Sequence, residues 1–277
     1  MKAILAFIIA IIAGAGIVEA RDSRFTAAVA LVNKGPDIEQ FLAAPVSGYV
    51  HAFLRFGKDM PDDVLMFIDE EFMDGVSNPL FYPGGDWMAY VGVLRNGAVL
   101  VAQGTAGTMA GTPSTFRTFA IFSLGQRLQP DTWYLLRTRA NFGTRHYVSF
   151  LIEGENLRQE IDLSALTLDY PNYLPFSGRT MTYYVGAARS GGLLGGTPVA
   201  YFDAVQGGSS HVFFYNGFEQ QTVVGPQPPF NSPIDLNSYV QGQWYKERDE
   251  ALFTIQQSPF AVSGKSIGVA DANLNGP

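Results

Sequence analysis

From Ser47 onward the chain is a succession of short apolar runs, each too brief for a helix and each closed by Gly, Pro, Asn or Asp. GYVHAFLRFG, DVLMFIDEEF, DWMAYVGVL, GAVLVAQG, FRTFAIFSLG, TWYLLRTRA, HYVSFLIEG, LRQEIDLSAL, MTYYVGAA, VAYFDAVQ and HVFFYNGFE follow one another in this way. Runs of this length, rich in β-branched and aromatic residues and evenly punctuated by turn formers, predict strands of a sandwich or barrel. The 21 Phe, 13 Tyr, 30 Gly and 16 Pro supply the side chains and the turns. Arg95-Asn96-Gly97 provides an Asn-Gly pair that tolerates positive φ, so a hairpin is expected there. ANFGTR is expected to join the next pair of strands. Helix is confined to two candidate stretches, NKGPDIEQFLAAP (33–45) and NSYVQGQWYKERDEALF (237–253), the second weakened by Gly242.

The first twenty residues place Lys2 before an apolar run and end on small residues, the pattern of a secretory signal peptide. The run is shorter than a bilayer span and is interrupted by Gly14 and Gly16, which argues against stable membrane insertion once the leader is removed. The chain is therefore expected to be secreted, to the periplasm or the extracellular space. It contains no Cys, so disulfides, thiolate metal sites and a cysteine nucleophile are excluded. The formal charge is −7, without the clustered Lys and Arg that phosphate binding requires, and nucleic acid is excluded as a partner. The same balance disfavours a polyanionic sugar, with Arg137, Arg139 and Arg145 as a local exception.

The stretch LQPDTWYLLRTRANFGTRHYVSFLIEG, followed by MTYYVGAA and VAYFDAVQGG, resembles the concanavalin A-like lectin/glucanase superfamily, in particular its laminin-G-like bacterial members. The resemblance runs from Ser47 to Gly208 and departs from the pattern at Ala204, where many relatives carry a second acid. It implies an all-β fold, a two-sheet antiparallel jelly-roll sandwich with little helix, and ligands on one sheet face or the rim loops. After the leader (1–20), residues 21–210 are expected to form the sandwich. Residues 211–277 are expected to complete it, because HVFFYNGFEQQ has a first-strand pattern and an unpaired sheet edge would otherwise be exposed. The alternative is the start of a second, truncated repeat.

Catalysis is optional on such a fold. Jelly-roll β-glucanases carry E-x-D-x-x-E on one strand, and here Glu160 and Asp162 match while Ala165 replaces the proton donor. Simple alternation puts Ile161 and Leu163 inward and Glu160 and Asp162 in water. His51, His146 and His211 are too dispersed for a metal triad, and no G-x-S-x-G elbow or phosphate loop occurs. The resemblance points to a structural Ca²⁺ between first and last strands, which nominates Asp203 and Glu219. Sugar rings stack on aromatic faces, so Trp87 and Tyr82, at a loop-strand junction, are the carbohydrate candidates, with Arg137, Arg139 and Arg145. The expectation is a non-catalytic carbohydrate-binding or adhesion module whose partner is a glycan or a matrix or cell-surface protein. Its alternatives are a polysaccharide hydrolase or lyase of the same fold and a structural envelope domain.

Overall fold

A computed structural model of the chain describes residues 26–33, 47–74, 85–104, 118–172, 180–188, 200–209, 212–216, 244–246, 251–257 and 265–271. All regular elements among them are strands: β1 (Thr26–Asn33), β2 (Ser47–Phe56), β3 (Leu65–Asp74), β4 (Gly85–Met88), β5 (Val91–Leu94), β6 (Ala98–Gln103), β7 (Thr118–Ser123), β8 (Trp133–Asn141) and β9 (His146–Gly154). They continue as β10 (Leu157–Asp162), β11 (Asp169–Asn172), β12 (Thr180–Ala188), β13 (Ala200–Gly208), β14 (Val212–Asn216), β15 (Trp244–Lys246), β16 (Ala251–Gln257) and β17 (Lys265–Asp271).

The strands form two antiparallel sheets. The first runs β15-β1-β12-β3-β5-β6-β7, with β4 on β3 and β11 on β4, and the second runs β10-β9-β8-β2-β13-β17-β16, with β14 also on β13. This is the two-sheet jelly-roll sandwich that the strand spacing predicts. The expected helix at 237–253 is corrected. Trp244–Lys246 pairs with β1 and Ala251–Gln257 with β17, so ladder pairing overrides a weak helical pattern that Gly242 interrupts. The other helix candidate, 33–45, lies almost wholly outside the described residues.

Period-two alternation decides which side chains form the core. In β2 each even-numbered residue from Val50 to Phe56 is fully buried, while Tyr49, His51, Phe53 and Arg55 are half-buried on the outer face. The facing sheet contributes Met66, Ile68 and Phe72 of β3, Val91 and Val93 of β5, and Met181, Tyr183, Val185 and Ala187 of β12. Tyr147 crosses the interior and donates its hydroxyl to the Ala102 carbonyl of the opposite sheet. At Asn96-Gly97 the expected hairpin is present: Gly97 has φ 88°, its N–H donates to the Leu94 carbonyl at 2.9 Å, and Asn96 Oδ1 accepts from Ala98 N.

One inner position of β3 carries an acid. Glu70 sits between Ile68 and Phe72 on the inner face of β3, fully buried, in register with Tyr183. It reaches the opposite sheet at Gly48, where a Cβ would overlap Glu70 Oε1. Neither carboxyl oxygen has a hydrogen-bond partner among the described residues.

Candidate active site

Directly opposed residues of an antiparallel pair point to the same side of the sheet. Register therefore assembles the outer face of the second sheet. His51 lies opposite Arg137 on β8 and Gln206 on β13, and Tyr49 lies opposite Arg139 and Gly208. Arg137 is opposite Leu151, which is opposite Glu160, and Gln206 is opposite Tyr215 of β14. One row across the strands thus reads Glu160, Leu151, Arg137, His51, Gln206, Tyr215. The next reads Asp162, Ser149, Arg139, Tyr49.

A β-bulge places Gln206 in this row. Between the Asp203–Phe53 and Gln206–His51 pairs, β13 spends two residues, Ala204 and Val205, against the single Ala52 on β2, with Ala204 at φ 49°. Regular pairing would have turned Val205 onto the face; the bulge sends Val205 into the core and Gln206 out. Gln206 Nε2 then donates to the Tyr49 hydroxyl, leaving the phenolic proton free for another acceptor.

His51 and Tyr49 have ring centroids 6.0 Å apart. Burial, and then the positive charge of Arg137, lower the His51 pKa to about 4, so its imidazole is neutral at physiological pH. Arg137 is half-buried, and its Nε is buried without a hydrogen-bond partner among the described residues. The centre of the face thus combines a neutral base, a phenol, an amide and a guanidinium with unused donor capacity.

The exposed carboxylates lie elsewhere, and the one acid beside the His51 row among the described residues, Asp203 opposite Phe53, is fully buried. Glu160 and Asp162 face solvent on β10, an edge strand, while Ile161 and Leu163 are buried, as alternation predicts. Glu160 accepts from Ser149 Oγ at 2.9 Å, and Glu153 is paired with Arg158 at 2.8 Å. Glu160 is four strands from Gln206, about 19 Å at normal strand spacing.

The residues nominated from sequence separate into groups. Arg137 and Arg139 join His51 and Tyr49, whereas Arg145, at the β8–β9 turn with φ 62°, places its guanidinium 4.4 Å from the Trp87 ring centroid and 5.8 Å from that of Phe72. Trp87 is half-buried and packs against the core. Tyr82, Glu219 and His211 lie outside the described residues. Asp203 is fully buried, with Oδ1 accepting from Ala204 N. No group of three or more His, Asp or Glu able to hold a metal occurs among the described residues. Tyr49, His51 and Gln206 were not singled out together from the sequence because only register brings them together; the one local signal is the Y-x-H spacing in β2.

No family model and no curated protein matches the sequence. Among solved structures, the chain is similar to alginate lyase A1-II', a member of polysaccharide lyase family 7 (10% identity, TM-score 0.30), over 60% of this chain and 63% of that one. It is similar to the marine PL-14 alginate lyase from Aplysia kurodai (10% identity, TM-score 0.31), over 52% of this chain and 69% of the lyase. It is also similar to scytalido-glutamic peptidase (9% identity, TM-score 0.39), over 90% of this chain and 98% of the peptidase. The chain spans just under two thirds of the length of the first of these. The expectation of a non-catalytic binding or adhesion module is corrected here: the solved structures named are lyases and a peptidase, likenesses that show the fold alone. There is a physical reason as well. A module that only holds sugar needs stacking rings, whereas this face centres on a neutral imidazole, a phenol and a guanidinium.

Proposed function

We propose that the chain is a polysaccharide lyase that cleaves an acidic, uronate-containing glycan by β-elimination on the outer face of the second sheet. The observation that carries this reading is the neutral His51 set between Tyr49, Gln206 and Arg137. Elimination beside a carboxylate needs three things: a cation or amide to offset the carboxylate charge, a base that is unprotonated at the working pH, and an acid for the departing oxygen. Arg137 meets the first requirement, with Gln206 beside it. His51 removes the proton α to the carboxylate. The electron pair of that C–H bond becomes the new C=C bond as the glycosidic C–O bond breaks, and the leaving oxygen takes the Tyr49 phenolic proton. Arg137 and Arg139 make this face a local exception to the chain's −7 charge. Hydrolysis by paired carboxylates is a poorer fit, because the exposed acids of the face lie toward the β10 edge. The secreted location expected from the leader suits an enzyme that meets polymeric glycan.

The test is incubation with a panel of polyuronates while following ultraviolet absorbance of the unsaturated product alongside reducing ends. A lyase raises both together. Reducing ends without absorbance would instead establish hydrolysis, and neither signal across the panel would refute the reading.

A further inference from the structure

The face is asymmetric along the row that contains His51. On one side lie Arg137 and then Leu151, before the row ends at Glu160 on the edge strand, with Asp162 two residues further along β10. Hydrogen bonds from Ser164, the backbone N–H first, hold the Asp162 carboxyl below its usual range, so it stays ionised. Arg158 is paired with Glu153, and among the described residues neither Glu160 nor Asp162 has an ion-pair partner, so this edge carries negative charge. On the other side the row passes Gln206 to Tyr215, its last member among the described residues, which is 59% exposed, the larger of the two exposed large hydrophobic values there. Tyr215 lies two strands from His51, about 10 Å away. An exposed phenol ring beside an amide is a stacking platform for a sugar ring, and it carries no charge to repel a neighbouring uronate.

Resting on the lyase reading, we infer that an acidic oligosaccharide lies across the strands in one direction only. It runs from Arg137 over His51 and Gln206 to Tyr215, which is the platform for the sugar beyond the cleavage point, and Glu160 and Asp162 close the opposite end. Tyr215 is then a specificity-determining residue that reads chain length. The direction follows from charge: a polyanion gains at Arg137 and Arg139 and loses at the β10 carboxylates.

The experiment uses the full chain carrying His51→Ala, which holds substrate without turning it over, and measures calorimetric affinity for uronate oligosaccharides of increasing length. Affinity is expected to rise as the oligomer reaches the Tyr215 side. Tyr215→Ala in that background should remove this gain, about three- to tenfold for one stacked ring, while leaving the shortest binding oligomer unaffected. Tyr215→Phe should retain it, and the melting temperature should hold because the side chain is exposed. Glu160→Gln should leave the gain in place. Binding that strengthens with length regardless of Tyr215, or a length gain that Glu160→Gln abolishes, overturns the inference and leaves the lyase reading standing. Failure to bind any acidic oligomer overturns both.

Discussion

Glu70 should make the sandwich less stable as pH rises, because its carboxyl is held inside the core. Its carboxyl is fully buried, with Asp69 adjacent in sequence and Tyr183 in register. Burial first, and Asp69 second, push its pKa well above the ordinary 4.5. Tyr183 is raised in turn, by burial first and then by Glu70 and Tyr49. Between the unfolded-state value and the raised native one, the native chain holds a proton that the unfolded chain has released. Stability then falls with pH by about 1.4 kcal/mol per unit. The Glu70 contribution is fully present below pH 4.5 and is lost as pH rises towards the native value. Between pH 5 and pH 7 the full linkage slope bounds the loss at about 3 kcal/mol. Glu70→Gln keeps the shape and removes the titration. Its melting temperature relative to wild type should therefore climb from pH 5 to pH 7, by at most about 10 °C, read by calorimetry at both values. Parallel pH profiles, or a gap that narrows toward neutrality, would refute the reasoning. Gly48→Ala tests the location independently. Its Cβ would overlap Glu70 Oε1 and lie 3.1 Å from Phe142 Cε2. The substitution should cost about 1–3 kcal/mol, and clearly less in a Glu70→Ala background, because the clash partner is gone.

With the His51 pKa lowered to about 4, kcat/KM on a polyuronate should be level between neutrality and mild acid and fall only as pH approaches that value; an acid limb near pH 6.5 would mean that His51 is not the base. Gly97→Ala should cost about 2–4 kcal/mol in chemical denaturation, since φ 88° is closed to a side chain and the new Cβ would overlap the Gln126 carbonyl oxygen. Arg145→Ala should lower stability by about 1–2 kcal/mol through lost contact with Trp87 and Phe72, and an unchanged melting temperature would show that the guanidinium contributes nothing.

Most strands of the sandwich can be located from the letters because alternation and turn chemistry are local signals. Val50, Ala52 and Leu54 announce an inner face, and Asn96-Gly97 announces its hairpin. DWMAYVGVL reads as one strand, and although β4 and β5 are separate elements they keep a single register against β3, Glu71 opposite Met88 and Ile68 opposite Val91, with Ala89 N donating to the Glu70 carbonyl between them. Trp244 to Lys246 reads as helix because a three-residue strand has too little length to show a period, and its pairing partner lies more than 200 residues earlier in the chain. Nothing in the letters sets Glu70 apart from Asp69 and Glu71; alternation along β3 places it on the inner face between Ile68 and Phe72. The site is the least legible part. Its residues come from β2, β8 and β13, and the bulge at Ala204 that exposes Gln206 has no glycine to mark it.

β2 ties the chemistry of the face to the stability of the core. Tyr49 and His51 alternate with Gly48, Val50 and Ala52, so one strand carries the proposed acid and base on its outer side and part of the interdigitated core on the other. A one-residue slip of β2 against β8 would exchange these faces, burying an imidazole and a phenol and exposing four fully buried apolar side chains. The slip is resisted from both flanks: Val50, Ala52 and Leu54 lie opposite Thr138, Leu136 and Tyr134, all buried, and on β13 the bulge allows only one offset that keeps both Phe202 and Val205 inside. Packing that holds the core in register therefore also sets the geometry of the reacting groups. On this account, enlarging Ala52 should disturb His51 before it unfolds the protein, because overpacking at an interior strand position shifts the backbone that both faces share.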